Sequence, residues 1–216
     1  MARPPRGKRP GPRTAAKAAT SRAAQRAGTR EQIRVAAWEL FSTVGFEETT
    51  TQAIARRAGV ATGTVFLHAS DKADLLFMVM YDRLDGAVNE AFATLPDGPL
   101  VDRLMHVFAR IFRMYGEHPK VGAAFVRLLP GANGPNAERV NGLTATFLAR
   151  IGSLVTDAQT RGEVARDLDP LACARNIFGL YFMALLAWLS GLVPLEAALD
   201  PMLRSALDLQ FRGFRP

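Results

Sequence analysis

Apolar residues recur at helical spacing along almost the whole chain. Ile33, Ala36, Ala37, Leu40 and Phe41 fall on one stripe of an amphipathic helix. Thr29 with Gln32 three residues on forms a capping box at its start, and Gly45 closes it, with Phe46 placed to pack beneath. Ser70 is the expected cap of a later helix, with Asp71 in its first turn, Leu75, Leu76, Val79 and Met80 inward, and an end near Ala93. Leu95-Pro96-Asp97-Gly98-Pro99 is a break. Helical spacing resumes over 100–116 with Leu104, Val107, Phe108, Ile111 and Phe112 on one side. Pro119 restarts a shorter helix to about Leu129, 130–135 is a loop, and 136–161 is a long helix ended by Gly162. Asp169 before Pro170 is a cap followed by proline at the first helical position. A last helix is expected over 195–210, with Leu199, Met202, Leu203, Ala206 and Leu209 as its face. No alternating run of β-branched residues bounded by Asn-Gly or Asp-Gly turns occurs, so the pattern predicts an all-α protein.

One stretch departs from amphipathic patterning. Residues 176–195 are twenty positions without a charge, long enough to span a bilayer. Gly191 and Pro194 end the regular helix early, Arg175 and Glu196 sit near its ends, and no second span or aromatic belt accompanies it. A helix apolar all round is also what a buried subunit-interface helix looks like, and that is the expectation here, with no membrane partner.

Composition narrows the class. At 216 residues and 49% apolar content the chain can bury a good core. The single cysteine, Cys173, excludes an intramolecular disulfide and suits a cytoplasmic location. The net charge of +7 is unevenly placed: residues 1–28 carry eight Lys or Arg and no acid, while 29–76 are near neutral and 77–216 carry fourteen of each sign. Rich in Pro, Ala, Gly and Arg, that first segment has almost nothing to bury and is expected to be a disordered basic arm. It lacks the apolar core of a secretory signal. An arm lying on DNA phosphates and a merely solubilising tail both fit its composition.

The stretch 50–72, TTQAIARRAGVATGTVFLHASDK, reads as two short helices joined by a tight turn, the arrangement that sets a helix into a DNA major groove. Thr50 can cap the first, whose apolar side is Ile54, Ala55 and Ala58, and Gly59 ends it by accepting a positive φ. Val60 fills the gap between the helices. The second helix, expected over about 62–68, opens with small residues that allow close approach to a phosphate backbone.

These residues resemble the DNA-binding domain of the TetR family of bacterial transcriptional regulators, whose pattern is roughly T-x-x-x-I-A-x-x-A-G-V-S-x-G-T-x-Y-x-H-F-x-x-K-x-x-L. Thr50, Ile54, Ala55, Ala58, Gly59, Val60, Gly63, Thr64, His68, Lys72 and Leu75 match it; Ala61, Phe66 and Ala69 replace its serine, tyrosine and phenylalanine. The resemblance covers residues 29–76 well and only architecture beyond. It implies a three-helix DNA-binding domain over 29–76, a larger helical ligand-binding and dimerisation domain over 77–216, and a homodimer formed through about 170–210. The contacts it implies with double-stranded DNA fall at Thr50, Thr51, Gln52, Thr62, Gly63, Thr64, Phe66, Leu67, His68 and Lys72. Gln52 suits bidentate reading of adenine, Thr62 a base or thymine methyl, and Lys72 a phosphate. Phe66 lacks the hydroxyl that the family's tyrosine gives to phosphate, and Ala61 forfeits a side-chain cap, about 1 kcal/mol of helix stability.

The resemblance further implies a small-molecule effector and release of a palindromic operator when it binds. Phe108, Phe112, Phe147 and Tyr181 lie on the helices that would line its pocket, although aromatics at helical spacing also serve simply as core. Neither a cofactor nor a metal is implied, and no nucleophile elbow, zinc-binding pair or phosphate loop points to an enzyme. A non-regulatory DNA-organising or adaptor protein using the same motif is the alternative. It would lack operator preference and ligand release.

Overall fold

The computed structural model describes residues 12–214, and among them every regular element is helical. Three helices form the N-terminal unit: α1 (Pro12–Thr43), α2 (Thr51–Ala58) and α3 (Thr62–Val65). Next, α4 (Lys72–Ala93) leads into α5 (Leu100–Glu117), α6 (Pro119–Leu128), α7 (Pro135–Thr160) and α8 (Pro170–Leu189). The chain ends in α9 (Leu195–Ala197), a kinked passage (Ala198–Leu203) and α10 (Arg204–Phe214).

Burial follows the apolar stripes. Ile33, Phe41, Ile54 and Leu75 are fully enclosed in the N-terminal unit, and Phe77, Phe108, Phe112 and Phe125 in the bundle beyond. α4 belongs to both, and one apolar core runs continuously through it from Ile33 to Phe211. Removing that much apolar surface from water is the main force holding the two parts together, at roughly 25 cal/mol per Å².

Four expectations are corrected. α1 begins at Pro12, not at a Thr29 cap; the Thr29 hydroxyl instead donates to the Gln25 carbonyl, 3.0 Å away, within the helix. The sequence from 14 to 27 is rich in alanine, and that helix propensity extends α1 where little is available to bury. Of the expected arm, residues 1–11 lie outside the described residues, and the backbone from Pro12 onward is helical. Asp71 rather than Ser70 caps α4, its carboxylate accepting from Asp74 N at 2.8 Å. The second motif helix is a single turn, Thr62–Val65, with the chain turning through Phe66 to His68. The last helix is not continuous over 195–210, because Pro201, preceded by a cis peptide bond, interrupts it.

Elsewhere the local chemistry is as expected. Asp169 caps α8 through Leu171 N and Ala172 N, and Gly59 takes φ +69° as it ends α2. Pro99 cannot cap α5, and Glu163 does so from the α7–α8 loop, accepting from Leu100 N at 2.8 Å. By length and composition alone α8 could cross a membrane.

Candidate nucleic-acid interface and ligand cavity

The motif turns its polar end outward. Thr50 caps α2 by accepting from Ala53 N at 3.1 Å, which leaves its hydroxyl proton free to donate. Thr50, Gln52, Gly63, Phe66 and Leu67 are exposed, while Thr51, Thr62 and Thr64 are half-buried. Phe66 and Leu67 are 50% and 68% exposed, an apolar pair that no core residue of its own chain covers. Ala61 gives α3 no side-chain cap, so that turn rests on Val65, which is fully buried.

Two of the motif's expected contacts have structural partners. Lys72 Nζ donates to the Phe46 and Glu47 carbonyls at 2.9 and 3.0 Å and lies 4.5 Å from the Phe46 ring. Two of its three N–H groups therefore close the α1–α2 loop, and one remains for a phosphate. His68 is buried to 7% exposure. Burial, then the charges of Arg30 and Arg26, push its pKa below the ordinary histidine value. The two arginines set a positive field beside the recognition turn, where Arg26, Arg30, Leu67 and His68 share a surface cleft. Sequence reasoning counted Arg26 only within the basic arm and missed Arg30, although their i,i+4 spacing on an alanine-rich helix was the available signal.

Behind the motif lies a buried polar junction. Asp74, on α4, is fully enclosed, and its carboxylate accepts four hydrogen bonds: from Ser70 N (3.0 Å), Asn136 N (2.9 Å), Asn136 Nδ2 (2.9 Å) and Ala137 N (3.1 Å). It therefore caps the start of α7 from another helix, satisfying donors that a helix N-terminus leaves open. Asn136 Nδ2 also donates to the His68 carbonyl at 3.0 Å, and its Oδ1 accepts from Arg30 at 2.6 Å. Gly134, at φ +103°, permits this closeness, since a Cβ there would sit 2.6 Å from Ser70 Oγ. One junction thus joins α1, the recognition turn, α4 and α7.

The turns of α7 that follow line a cavity. Its walls include Leu84 and Val88 of α4, Ile111 and Tyr115 of α5, Phe125 of α6, Val140, Thr144 and Phe147 of α7, and Tyr181 and Leu185 of α8. Of the four expected pocket residues, Phe147 and Tyr181 line it. Phe108 and Phe112 stand one layer behind, their ring centroids 4.7 and 5.8 Å from that of Tyr181. The free volume is about 50 Å³, against roughly 300–1,000 Å³ for sites that hold drug-sized ligands. In this state the cavity is closed around little more than water-sized space, and a larger ligand must part its walls.

This fold and site define a helix-turn-helix DNA-binding transcriptional regulator with a helical domain enclosing an apolar cavity. Residues 33–79 match the model of the tetR family of bacterial regulatory proteins. The transcriptional repressor KstR of Mycolicibacterium smegmatis is 27% identical over 164 residues, 74% of this chain and 76% of the repressor. The Bacillus subtilis fatty acid metabolism regulator is 22% identical over 158 residues, covering 73% of this chain and 81% of that protein. Thermus thermophilus FadR, a TetR-family repressor solved with lauroyl-CoA, superposes with a TM-score of 0.67 at 26% identity, covering 82% of this chain and 93% of that one. By the match over residues 33–79, the DNA-binding unit of this chain is that of the TetR family of transcriptional regulators.

Proposed function

We propose that this chain is a cytoplasmic homodimeric repressor that leaves a palindromic operator when an apolar ligand, of the acyl-CoA thioester class, enters the cavity. The observation that carries this reading is the Asp74–Asn136 junction. α7 lines the cavity through Val140, Thr144 and Phe147, and its first turn is hydrogen-bonded to the recognition turn through Asn136 and the His68 carbonyl. A ligand that parts α7 from α4 strains the junction between them, which carries that displacement to His68. The ligand prefers the opened state, DNA the closed one, and each draws the population its own way.

DNA contacts are assigned to Thr50, Thr51, Gln52, Thr62, Gly63, Thr64, Phe66, Leu67, His68 and Lys72, with Arg26 and Arg30 added as phosphate anchors. The dimer is assigned to α8 and α10, where Leu171, Met183 and Leu209 are 40%, 60% and 70% exposed. A solvent-facing apolar strip on a charge-poor helix is better accounted for by a second copy than by lipid, since no second span accompanies it among the described residues. Two-fold symmetry sets the half-sites about 34–36 Å apart or a multiple of that spacing. Binding-site selection on the purified protein should return an inverted repeat, and a pool without one would instead favour a non-regulatory DNA-organising role.

A further inference from the structure

Tyr115 and Tyr181 stand out within the cavity. Of the side chains that line it, only these two and Thr144 carry a polar atom, and the Thr144 hydroxyl already donates to the Val140 carbonyl at 3.0 Å. Both tyrosines are more than nine-tenths buried, at 3% and 4% exposure. No described residue accepts a hydrogen bond from either hydroxyl. Among the described residues, no side-chain oxygen that is closed off from free space lacks a partner. Each unbonded phenol oxygen therefore borders free space, and the free space that these buried rings line is the cavity. The two groups are near one another: after burial, the charge of Tyr115 is what raises the Tyr181 pKa. Burial raises Tyr115 as well, so both stay protonated and act as donors at neutral pH. Ile111 and Phe125, which line the cavity with them, are fully buried, while Leu84, Thr144 and Phe182 are half-buried.

Buried phenols nearly always have a partner, because an unmet donor in an apolar site is costly. We propose that Tyr115 and Tyr181 form a paired donor that binds an acceptor oxygen carried by the ligand among its hydrocarbon. This rests on reading the cavity as the ligand site, and it narrows the ligand class from apolar to oxygen-bearing apolar. That oxygen is either the carbonyl of a thioester or a keto or hydroxyl group on the buried chain or ring.

The test uses the full-length protein and the double variant Tyr115→Phe/Tyr181→Phe, which keeps both rings. Two matched pairs separate the sources of the oxygen: lauroyl-CoA against S-dodecyl-CoA, which lacks the thioester carbonyl, and acetophenone against ethylbenzene. In wild type the carbonyl member of at least one pair should be favoured, and the double variant should lose about five- to tenfold of that preference, the worth of one neutral hydrogen bond. A loss confined to the CoA pair assigns the oxygen to the thioester; a loss confined to the ketone pair assigns it to the chain or ring. Preference ratios unchanged within twofold for both pairs overturn the proposal. Should lauroyl-CoA fail to bind at all, the acyl-thioester reading falls while the ketone pair still decides this one. The ligand-free protein gives an independent check. Phenols without a protein partner can be replaced at no loss, so the melting temperature should hold or rise, and a fall of several degrees overturns the proposal.

Discussion

Replacing Asp74 by alanine is the perturbation that most directly probes the junction. The carboxylate is fully buried and serves four donors: three backbone N–H groups and the Asn136 amide. Truncation leaves those donors facing a space that water can only partly refill, and each unmet buried donor costs about 1–3 kcal/mol. With partial rehydration, the total should resemble loss of one partner from a buried ionic contact, about 3–5 kcal/mol. For a chain of this length, 1 kcal/mol moves the melting temperature by roughly 2–4 °C, so the midpoint should fall by roughly 6–20 °C. Asp74→Asn keeps one acceptor oxygen and should cost about half as much. Urea denaturation followed by far-UV circular dichroism measures both. If Asp74→Ala lies within about 0.5 kcal/mol of wild type, the range of ordinary surface substitutions, the carboxylate does not hold α7 and the coupling argument fails.

Three further outcomes follow from the interface. Phe66→Tyr restores the hydroxyl at an exposed position and should tighten operator binding by about 1 kcal/mol, roughly fivefold, in a filter or fluorescence titration; unchanged affinity would mean that position 66 does not face a phosphate. The lowered His68 pKa gives two opposed pH effects. Folding stability is fully present above the unfolded value of about 6.5 and declines as pH falls toward the folded value, because the unfolded chain takes up the proton more readily. A phosphate beside the ring raises that pKa, so operator affinity should increase as pH falls through the range where the bound ring takes up its proton and lie flat above it, and His68→Gln should abolish the slope. Removing residues 1–11, with Arg3, Arg6, Lys8 and Arg9, should reduce the slope of log affinity against log salt by roughly 0.9 for each phosphate that those side chains neutralise, whereas an unchanged slope identifies a solvated tail.

Most of the helical plan was legible because apolar period, capping residues and prolines agreed: Thr50, Gly59, Asp169 and the break at 95–99 all act as their chemistry suggests. The failures have physical causes. Burial and helix propensity pull in opposite directions before Thr29, and propensity prevailed over 12–28. Ser70 and Asp71 are both good caps, and only backbone direction chooses between them. Pro201 interrupts the last helix, and the continuous apolar face on either side of it masks that break. The junction was illegible for a different reason. Asp74 and Asn136 are 62 residues apart, and nothing local in either stretch says that one carboxylate caps the other's helix. The pocket was half legible: its aromatic helices could be picked out, but which ring faces the cavity and which backs it depends on helix rotation.

The central claim is that opening the cavity loosens the grip on DNA through α7. It is tested most directly by measuring operator affinity with and without saturating lauroyl-CoA, in wild type and in Asn136→Ala. That substitution removes the link to the His68 carbonyl and leaves the cavity walls intact. The account predicts that lauroyl-CoA weakens wild-type operator binding by roughly 5- to 150-fold, the usual span of an allosteric coupling. It predicts that Asn136→Ala still binds the thioester but loses most of that factor. Operator affinity that ignores lauroyl-CoA in wild type, or an Asn136→Ala protein that responds as wild type does, would contradict it.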